Sequence, residues 1–443
     1  MKMKLFTITI SFLLMMSGFF VIVSGEDTGL SVEEDESEPI EIYDWHDLDD
    51  VREDLDGDYI LMNNLDEDTD GYDELVGTEN GWEPIGDFGD RFTGTFDGNE
   101  NEISDIYIDR PDTDDIGLFG TIGGEVRNVG VVDADVSGDS HVGGLVGWNY
   151  DGTVSNSYAT GDVSGGDRVG GLVGMNWHTA DVEYCYATGD VSGDRFVGGL
   201  MGSSDTVENS HASGEVIGNE SVGGLVGLSD TVENSYASGD VIGNESVGGL
   251  VGSSVTVENS YATGDVIGNE SVGGLVGLSD TVENSYAVGN VSGNEKVGGL
   301  VGWNFEDEED EYANGTVLNS YSTGTVIGEE KVGGLVGYND LGTVENSFWN
   351  IETSGQNESD GGEGKTTEEM INKETYTDEG WDLEDTWDII EKETYPFLQW
   401  QDEDSYPYAP ELEEDDDGIP GFTMPLLAIA VVVALVVYYK KKW

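Results

Sequence analysis

The phrase VGGLVG recurs through the middle of this chain, and it constrains the fold more than any other feature. It begins at Val142, Val169, Val222, Val247, Val272, Val297 and Val332, with the variant VGGLMG at Val197. From Val197 to Val297 the spacing is a constant 25 residues. A fixed period of about 20–50 residues is typical of solenoids, propellers and arrays, whose units bury their apolar faces against one another. The middle of the chain is therefore predicted to consist of stacked copies of one unit.

One repeat, Leu228 to Gly252, contains three short strand-like runs: TVENSYA, DVIG and SVGGLVG. Gly, Asn, Ser and Asp lie between the runs, and these residues tolerate positive φ or bond to their own backbone at corners. No run is long enough for a helix, and Gly-Gly would break one. Three short strands per repeat fit one coil of a β-helix whose strands stack about 4.8 Å apart. The predicted fold class is all-β, a right-handed parallel β-helix (solenoid) with helical or irregular end caps.

Stacking of equal repeats places equivalent side chains in columns, and each column lies inside or outside as a whole. One apolar column is expected at Val222, Val247, Val272 and Val297, and an amide ladder at a bend is expected at Asn234, Asn259 and Asn284. A degenerate ninth copy begins at Ile116, so the repeats are predicted to span residues 116–348. None of the eight prolines lies between Pro111 and Pro396, as expected where interior strands donate ladder hydrogen bonds.

The charge of the chain excludes one class of partner. Asp and Glu total 93 against 16 Lys and Arg, which gives a net charge of −77 at pH 7. Such a field repels a phosphate backbone, so nucleic-acid binding is not expected. We interpret the acidity as adaptation to high salt, which shortens the range of charge repulsion. The alternative, an acidic disordered chain, is disfavoured by the 10% of aromatic residues and the regular apolar positions.

Both ends of the chain carry the pattern of targeting segments. Residues 1–25 combine Lys2 and Lys4 with an apolar run and small residues, which predicts a signal peptide, or alternatively an uncleaved anchor. Residues 26–39 are predicted to be an acidic disordered segment. Residues 422–439 are nearly all apolar and predict a transmembrane helix, and the three lysines that follow predict a cytoplasmic C-terminus. The predicted location of the remainder is extracellular, anchored at the cell surface.

The C-terminal end resembles the archaeal PGF-type sorting signal. The resemblance rests on Pro420, Gly421 and Phe422, which stand at the start of the apolar run and before the basic end. It implies that an archaeosortase-type enzyme removes the helix and joins the new end to a membrane lipid, with residues 420–443 as the signal. The acidic spacer at residues 408–419 lacks the Thr-rich stretch common in that group, and a single-pass anchor is the alternative.

The repeats resemble the GLUG repeat of bacterial and archaeal surface proteins. The resemblance rests on VGGLVG and on phrases such as TVENSYATGDV, and it covers residues 116–348. The flanking sequences GWEPIGDFGDRFTG and NSFWNIETSGQ resemble the flanks of archaeal GLUG proteins. The resemblance implies a surface role in an archaeon, which the acidity suggests is halophilic, and it supplies no catalytic residues. Some GLUG repeats lie beside a peptidase, but this chain has no HExxH zinc signature.

Each end of the solenoid is expected to be covered by a cap. Residues 40–115 are predicted to form the N-terminal cap and first coils, with a helix over residues 44–55 and Asp44 as its N-cap. Residues 349–407 are predicted to form the C-terminal cap, where Thr366 and Glu369 match a capping box. Five aromatic residues of this segment are expected to seal the end of the stack: Trp381, Trp387, Tyr395, Phe397 and Trp400.

Length changes between repeats fall at one place, after VGGLVG, and predict loops along one edge of the solenoid. These loops carry Trp148, Trp177 and Trp303, whereas the regular repeats contain no tryptophan. Exposed aromatic side chains stack on sugars or on partner proteins. The three tryptophans are therefore the predicted contact edge, for a surface glycan or protein. The alternative is that they cover the ends of the regular stack.

Three further groups of residues are candidates for chemistry or modification. Asp66, Asp68 and Asp70 alternate as the first ligands of a calcium loop do, although Gly77 stands where such a loop needs Glu; a solvated loop is the alternative. The lone cysteine, Cys185, replaces a small serine of the other repeats and is expected to be structural. The glycosylation sequons begin at Asn219, Asn244, Asn269, Asn290, Asn314 and Asn357.

The sequence predicts a membrane-anchored structural or adhesive protein that uses its solenoid as a display or binding rod, without enzymatic activity. The alternative is a carbohydrate-active enzyme, a polysaccharide lyase or hydrolase, on the same scaffold. Such an enzyme needs a base, for which Arg168 and Arg195 on neighbouring coils are the best candidates. Uniform columns favour the structural interpretation, and a cluster of nonrepeating polar residues would favour the enzyme.

Overall fold

A computed structural model describes residues 38–305 and 315–410. They lie, apart from Glu38, in the second of two compact units of the chain, Pro39–Trp443. The described part of this unit is an all-β parallel solenoid with a few short helices, in which the coils between residues 140 and 333 contribute to three sheets and the N-terminal coils to the first two. Within the described residues no helix is long and apolar enough to cross a membrane. The predicted signal peptide and the predicted transmembrane helix lie outside the described residues.

The first sheet runs along the face that carries the inserted loops. Its strands are Ile40–Ile42, Asp58–Leu61, Thr95–Asp97, Phe119–Ile122, Glu125–Arg127, Val146–Asn149, Thr153–Ser155, Val173–Asn176, Asp181–Glu183, Met201–Glu208, Val226–Glu233, Val251–Glu258, Val276–Glu283, Val301–Asn304, Thr316–Leu318, Val336–Asn339 and Thr343–Glu345. In coils without an insertion one eight-residue strand crosses this face, and an inserted loop divides it into two.

The second and third sheets complete each coil. The second contains Glu102–Ser104, Tyr107–Asp109, Gly130–Ser137, Tyr158–Ser164, Tyr186–Ala187, Val191–Ser192, His211–Ala212, Val216–Ile217, Tyr236–Ala237, Val241–Ile242, Tyr261–Ala262, Val266–Ile267, Tyr286–Ala287, Val291–Ser292, Tyr321–Ser322, Val326–Ile327, Phe348–Asn350 and Glu363–Lys365. The third contains Ser140–Gly143, Asp167–Gly170, Arg195–Gly198, Glu220–Gly223, Glu245–Gly248, Glu270–Gly273, Glu295–Gly298 and Glu330–Gly333.

Equivalent strands pair in parallel with equivalent residues in register. Val222 pairs with Val247, Val247 with Val272, and Val272 with Val297, which confirms the predicted apolar column. Ile116 forms a parallel bridge to Val142, so the degenerate ninth copy is also a rung of the stack. The solenoid predicted from the repeat period is therefore confirmed.

The corners of each coil are set by residues in the left-handed region. Asn234 has φ of 50° and Ser246 has φ of 52°, and equivalent residues in other coils share these values. The strands therefore end at Glu233 and restart at Tyr236, so the predicted strand TVENSYA is divided in two. Asparagine tolerates this conformation because its short polar side chain bonds locally.

The predicted amide ladder does not form among Asn234, Asn259 and Asn284. The Nδ2 atoms of Asn234 and Asn259 donate to the Oε1 atoms of the preceding glutamates, at 3.2 and 3.4 Å. Within the described part of this column, two asparagine side chains bond to each other only where Asn319 donates to Asn284, at 3.4 Å. Each asparagine amide donates to the adjacent glutamate, and not to the next asparagine, because the glutamate carboxylate lies within reach on the same strand.

The core is narrow and apolar. Val222, Leu225, Val226 and Val241 are fully buried and point inward from the three sheets. Gly224 lets the walls approach closely, because a Cβ atom there would lie 2.9 Å from the Cβ atom of Ala237 and would also meet the carbonyl oxygen of the next coil. The Gly-Gly pair is therefore a packing requirement, as expected for a flattened coil.

A ladder of buried serine hydroxyls runs beside the asparagine corners. The Oγ atom of Ser235 accepts from the amide of Ser210 at 3.2 Å and donates to the carbonyl of Glu233 at 2.8 Å. The same pattern repeats at Ser260 and Ser285. Each hydroxyl thus joins two coils and satisfies backbone groups that the turn leaves free. Cys185 occupies one position of this column.

The N-terminal cap begins with the predicted helix, which is shorter than expected. An α-helix spans Trp45–Asp49 and a 3-10 helix spans Asp50–Glu53. The carboxylate of Asp44 accepts from the amides of His46 and Asp47, at 2.9 and 3.0 Å, which confirms the predicted N-cap. The side chains of Trp45, Leu48 and Val51 are fully buried.

The C-terminal cap covers a side of the solenoid, not its end as expected from sequence. The ring centroid of Trp387 lies 6.2 Å from that of Tyr286 and 6.1 Å from that of Tyr321, on the outer face of the second sheet. The Tyr321 hydroxyl donates to the carbonyl of Pro396 at 2.6 Å. The cap lies here because the tyrosines of the second sheet point outward. The apolar surface that the cap covers is therefore on the side of the solenoid. The last coil is instead closed by residues 358–360, which bond to its backbone.

Thr366 and Glu369 form the predicted capping box. A short antiparallel pair, Trp387–Asp388 and Phe397–Leu398, lies within the cap. The remaining helices are the α-helices Tyr72–Leu75, Ile351–Ser354, Thr367–Met370 and Lys373–Thr377 and the 3-10 helix Glu403–Ser405.

Candidate contact surface

One outward-facing column of the first sheet carries the candidate contact surface. Pairing in register links its members from coil to coil: Thr121, Trp148, Met175, Ser203, Leu228, Ser253, Leu278, Trp303 and Tyr338. Aromatic residues occupy this column near its two ends, at Trp148 and at Trp303 and Tyr338, and non-aromatic residues occupy the coils between them. Trp148 and Trp303 are six rungs apart, about 29 Å at the usual strand spacing.

The first aromatic cluster surrounds Trp148. The rings of Phe88 and Trp148 are stacked with centroids 5.1 Å apart, and those of Trp148 and Trp177 are stacked at 6.1 Å. Tyr150 meets Trp177 edge to face at 5.8 Å, and the Arg91 guanidinium lies 3.8 Å from the Tyr150 centroid. Phe88 and Trp177 are 55% and 42% exposed. This cluster therefore presents aromatic faces to solvent on a rigid β-framework.

Buried asparagines hold the loops that carry these rings. The Asn149 side chain donates to the carbonyl of Gly152 at 3.1 Å and accepts from its amide at 2.9 Å, which closes the loop at its base. It also donates to Asn176 in the next coil at 2.8 Å. Coils without a loop have serine here, as at Ser204 and Ser229. The positions with asparagine are those where a loop follows: Asn149, Asn176, Asn304 and Asn339.

The second aromatic cluster contains Trp303, Phe305 and Tyr338. The Trp303 ring lies 5.9 Å from Phe305 and 6.1 Å from Tyr338. The Nζ atom of Lys296 lies 3.8 Å from the Trp303 centroid, and that of Lys331 lies 4.1 Å from the Tyr338 centroid. Each lysine thus covers a ring while it remains paired with an acid of the preceding coil.

Basic residues of the solenoid concentrate beside aromatic rings. Between residues 116 and 348 the chain has Arg127, Arg168, Arg195, Lys296 and Lys331. All except Arg127 lie within 5.4 Å of an aromatic ring centroid. Because the rest of the surface is strongly acidic, these positions are the least repulsive parts of the solenoid for an anionic ligand.

The structure brings together only part of the predicted contact edge. Trp148 and Trp177 share one cluster, whereas Trp303 belongs to the other. Sequence reasoning missed Phe88 and Arg91, which come from the N-terminal coils and reach the cluster from outside the repeats. The repeat period does not extend to these two residues, so it could not predict their position. Phe305 was also missed, although it follows Trp303 by two residues in an inserted loop.

The predicted calcium loop is part of the N-terminal cap. The Oδ1 atom of Asp66 accepts from the amide of Asp68 at 3.1 Å and from the Thr69 hydroxyl at 2.9 Å. The carbonyl oxygens of Asp66 and Asp70 accept hydrogen bonds from Trp45. Across residues 38–305 and 315–410, no three His, Cys, Asp or Glu side chains are arranged to hold a metal ion. Calcium binding by Asp66, Asp68 and Asp70 stays a prediction.

Three sequon asparagines form a stacked column as expected. The amide of Asn244 donates to the carbonyl of Asn219 at 3.1 Å, and that of Asn269 to Asn244 at 3.0 Å. Asn269, Asn290 and Asn357 are exposed, and Asn219 and Asn244 are half-buried. Asn314 lies outside the described residues, as do the predicted sorting residues Pro420, Gly421 and Phe422. Glycosylation itself stays a prediction.

The best candidates for a catalytic base share one carboxylate. Arg168 pairs with Asp167, and Nη2 of Arg195 lies 3.1 Å from Oδ1 of the same residue. The two guanidiniums also flank the Phe196 ring, at 5.1 and 5.4 Å. The thiol of Cys185 is buried, which raises its pKa to about 12. A thiol with so high a pKa is protonated at neutral pH and a poor nucleophile.

Comparison with known families agrees with the repeat architecture. Five segments match the family model of the GLUG motif: residues 138–164, 165–192, 218–242, 243–267 and 293–327. Fold and repeats together define the class of protein: a parallel β-solenoid that contains GLUG repeats.

Two curated relatives match short stretches of the chain. Halomucin of Haloquadratum walsbyi is 42% identical over 85 residues, which are 18% of this chain and 1% of that protein. A protein of Evansella cellulosilytica, provisionally named a Gly-rich membrane protein, is 43% identical over 81 residues, which are 17% of this chain and 9% of that protein. The chain thus matches only a small part of either relative's length.

Two solved structures are also similar. A candidate immunoglobulin A1 protease from Bacteroides ovatus is 21% identical, with 83% of this chain and 94% of that chain covered at a TM-score of 0.40. A structure named IgA1 protease is 17% identical, with 69% of this chain and 21% of that chain covered at a TM-score of 0.38.

Proposed function

We propose that this chain is an extracellular surface protein that uses its solenoid as a rigid display rod and binds a surface glycan or protein through the column of the first sheet. The observation that carries the proposal is the exposed cluster of Phe88, Trp148 and Trp177. Aromatic rings held open to water by a stiff framework lose little conformational freedom on binding. One relative, named as a membrane protein, supports a location at the cell surface.

The proposal includes several finer points from the sequence. The coil is right-handed, as nearly all parallel crossovers are. Residues 1–25 direct secretion, and residues 420–443 anchor the protein through a PGF-type signal that an archaeosortase-type enzyme processes. The acidity of the solenoid fits a halophilic archaeon, because salt screens the repulsion between its carboxylates.

We further propose that the surface binds and does not catalyse. The columns between the two clusters are uniform, and the best basic pair, Arg168 and Arg195, is already engaged with one aspartate. No observation in the described residues favours the carbohydrate-active alternative over binding.

A binding comparison tests the proposal. The purified full-length protein and its Trp177→Ala variant are applied to a glycan array and to intact cells in high salt. Trp177 is 42% exposed, so its loss removes a contact face with little loss of stability. Tyr43→Ser is the matched control, since Tyr43 is 49% exposed but lies outside the column. We expect Trp177→Ala alone to lose binding; equal binding by all three proteins would contradict the proposal.

A further inference from the structure

A second aromatic column runs along the outer face of the second sheet. Its rings stack in parallel from coil to coil: Tyr158, Tyr186, His211, Tyr236, Tyr261, Tyr286 and Tyr321. Neighbouring centroids are 4.7–5.1 Å apart, and the planes differ by no more than 9°. The C-terminal cap buries the column from Tyr261 onward and leaves the earlier rings half-exposed.

Trp400 lies at the edge of the cap, where its indole leans over the boundary between the covered and uncovered rings. Its centroid lies 5.7 Å from that of Tyr261 and 6.3 Å from that of Tyr236. Trp400 is 40% exposed, so part of the indole is open to solvent. Beside it lies a cleft of about 400 Å³ lined by Asn209, Ser210, His211, Asn234, Tyr236 and Trp400. This volume is within the range of about 300–1,000 Å³ that small-molecule sites occupy.

Two departures from the repeat coincide at this cleft. His211 is the one ring in the column that is not a tyrosine, and imidazole is shorter than phenol, which leaves space beside Trp400. Asn209 is exposed and, in the described residues, makes no side-chain hydrogen bond, whereas Asn234 and Asn259 bond to the preceding glutamate. Its amide therefore keeps a free donor and a free acceptor at the rim of the cleft.

We propose that this cleft binds one pyranose unit of a neutral glycan. The exposed part of the Trp400 indole suits the apolar C–H face of a sugar ring, and the amides of Asn209 and Asn234 suit its hydroxyls. Glu208 and Glu233 directly precede the lining residues Asn209 and Asn234, and Asp402 follows Trp400 by two residues. Burial raises the pKa of Tyr236, and the nearby charge of Asp402 raises it further. These carboxylates disfavour uronate or sulfated sugars, so the ligand is neutral. The site lies on a different sheet from the contact surface and does not depend on it.

Calorimetric titration of the full-length protein tests the proposal. The probes are neutral tetrasaccharides of β-linked glucose and of β-linked N-acetylglucosamine, with a uronate tetrasaccharide as the acidic comparison. We expect at least one neutral probe to bind and the uronate probe to bind at least about tenfold more weakly. Trp400→Ala is expected to weaken binding of the neutral probe by about tenfold or more.

Further substitutions distinguish a loss of the binding site from a loss of folding. His211→Tyr refills the column, so it is expected to abolish binding while the melting temperature is unchanged or higher. Asn209→Gly removes the amide without strain at a φ of 49°, and Asn156→Gly is the matched control at the same φ two coils away. Asn209→Gly is expected to weaken binding, and Asn156→Gly is not.

The outcomes distinguish this site from the contact surface. Binding that is lost in Trp400→Ala and His211→Tyr but retained in Trp177→Ala supports the cleft, whatever becomes of the proposed surface function. Failure of every neutral probe to bind at millimolar concentration overturns the proposal. Binding that survives both Trp400→Ala and His211→Tyr, or that prefers the uronate probe, overturns it too.

Discussion

Lys296 extends its ammonium over the face of Trp303, with Nζ 3.8 Å from the ring centroid, although the two residues lie in different sheets. The same offset of seven residues joins Lys331 to Tyr338, at 4.1 Å. The two pairs lie at the same corner of successive coils. At this corner each lysine has a positive φ in the third sheet, and its side chain reaches the outward-facing column of the first sheet. The regular coils place serine at this corner, so the lysines accompany the aromatic residues.

Removing the Lys296 charge is expected to destabilise the fold. The Lys296 side chain is 9% exposed and donates to Oε1 of Glu270 at 2.8 Å, so Lys296→Met loses an ion pair and a cation–π contact together. We expect a loss of about 1 kcal/mol in the free energy of unfolding. Urea denaturation in moderate salt measures it, and Lys392→Met, an exposed lysine in the cap, is the control. An equal effect of both substitutions would show that the ring contact contributes nothing.

The buried serine hydroxyls of the ladder are expected to contribute measurably to the free energy of unfolding. Ser235→Ala leaves the amide of Ser210 and the carbonyl of Glu233 without their hydroxyl partner in a buried place. We expect a cost of about 1–3 kcal/mol. Ser238→Ala, three residues away and exposed, is expected to change stability by less than about 0.5 kcal/mol. Identical unfolding curves for the two variants would contradict a structural role for the hydroxyl.

The stacked tyrosines are expected to make the fold sensitive to alkali. Burial raises the pKa of Tyr261 to about 12 and the pKa values of Tyr286 and Tyr321 well above 10. The neutral phenols stabilise the fold fully below pH 10, and this contribution is lost as the pH rises toward 12, because the unfolded chain releases these protons first. A phenolate absorbance titration should show these tyrosines ionising only with loss of the near-ultraviolet circular dichroism. Full ionisation near pH 10 with that signal retained would contradict the packing of the cap.

Stacked carboxylates are expected to make stability depend on salt. Glu245 pairs in register with Glu220 and Glu270, so three like charges stand on successive rungs. Their repulsion is screened at high ionic strength. Glu245→Gln is therefore expected to raise the melting temperature in dilute buffer and to have little effect in molar salt. An effect of equal size in both conditions would show that something other than charge repulsion is responsible.

The sequence predicted the solenoid well because its period is carried by every coil. The constant 25-residue spacing that separates Val222 from Val247 leaves few alternatives to in-register stacking. The N-cap at Asp44 was predictable because capping depends only on the residues at the start of the helix. The clusters were harder to predict. Phe88 reaches Trp148 from outside the repeats, and Trp400 reaches Tyr261 from a segment more than a hundred residues later. Such contacts depend on how caps fold over the solenoid, for which no periodic signal exists.

Stacking of coils in register is tested most directly by distances between spin labels in a Cys185→Ser background. Ser140, Glu220 and Glu330 occupy one column of the third sheet, linked rung by rung through its parallel pairs. Labels at 220 and 330 span four rungs, and labels at 140 and 330 span seven. Pulsed electron resonance should give mean separations of about 19 Å and about 34 Å. Equal separations for the two pairs, as blades around a hub would give, would contradict the solenoid.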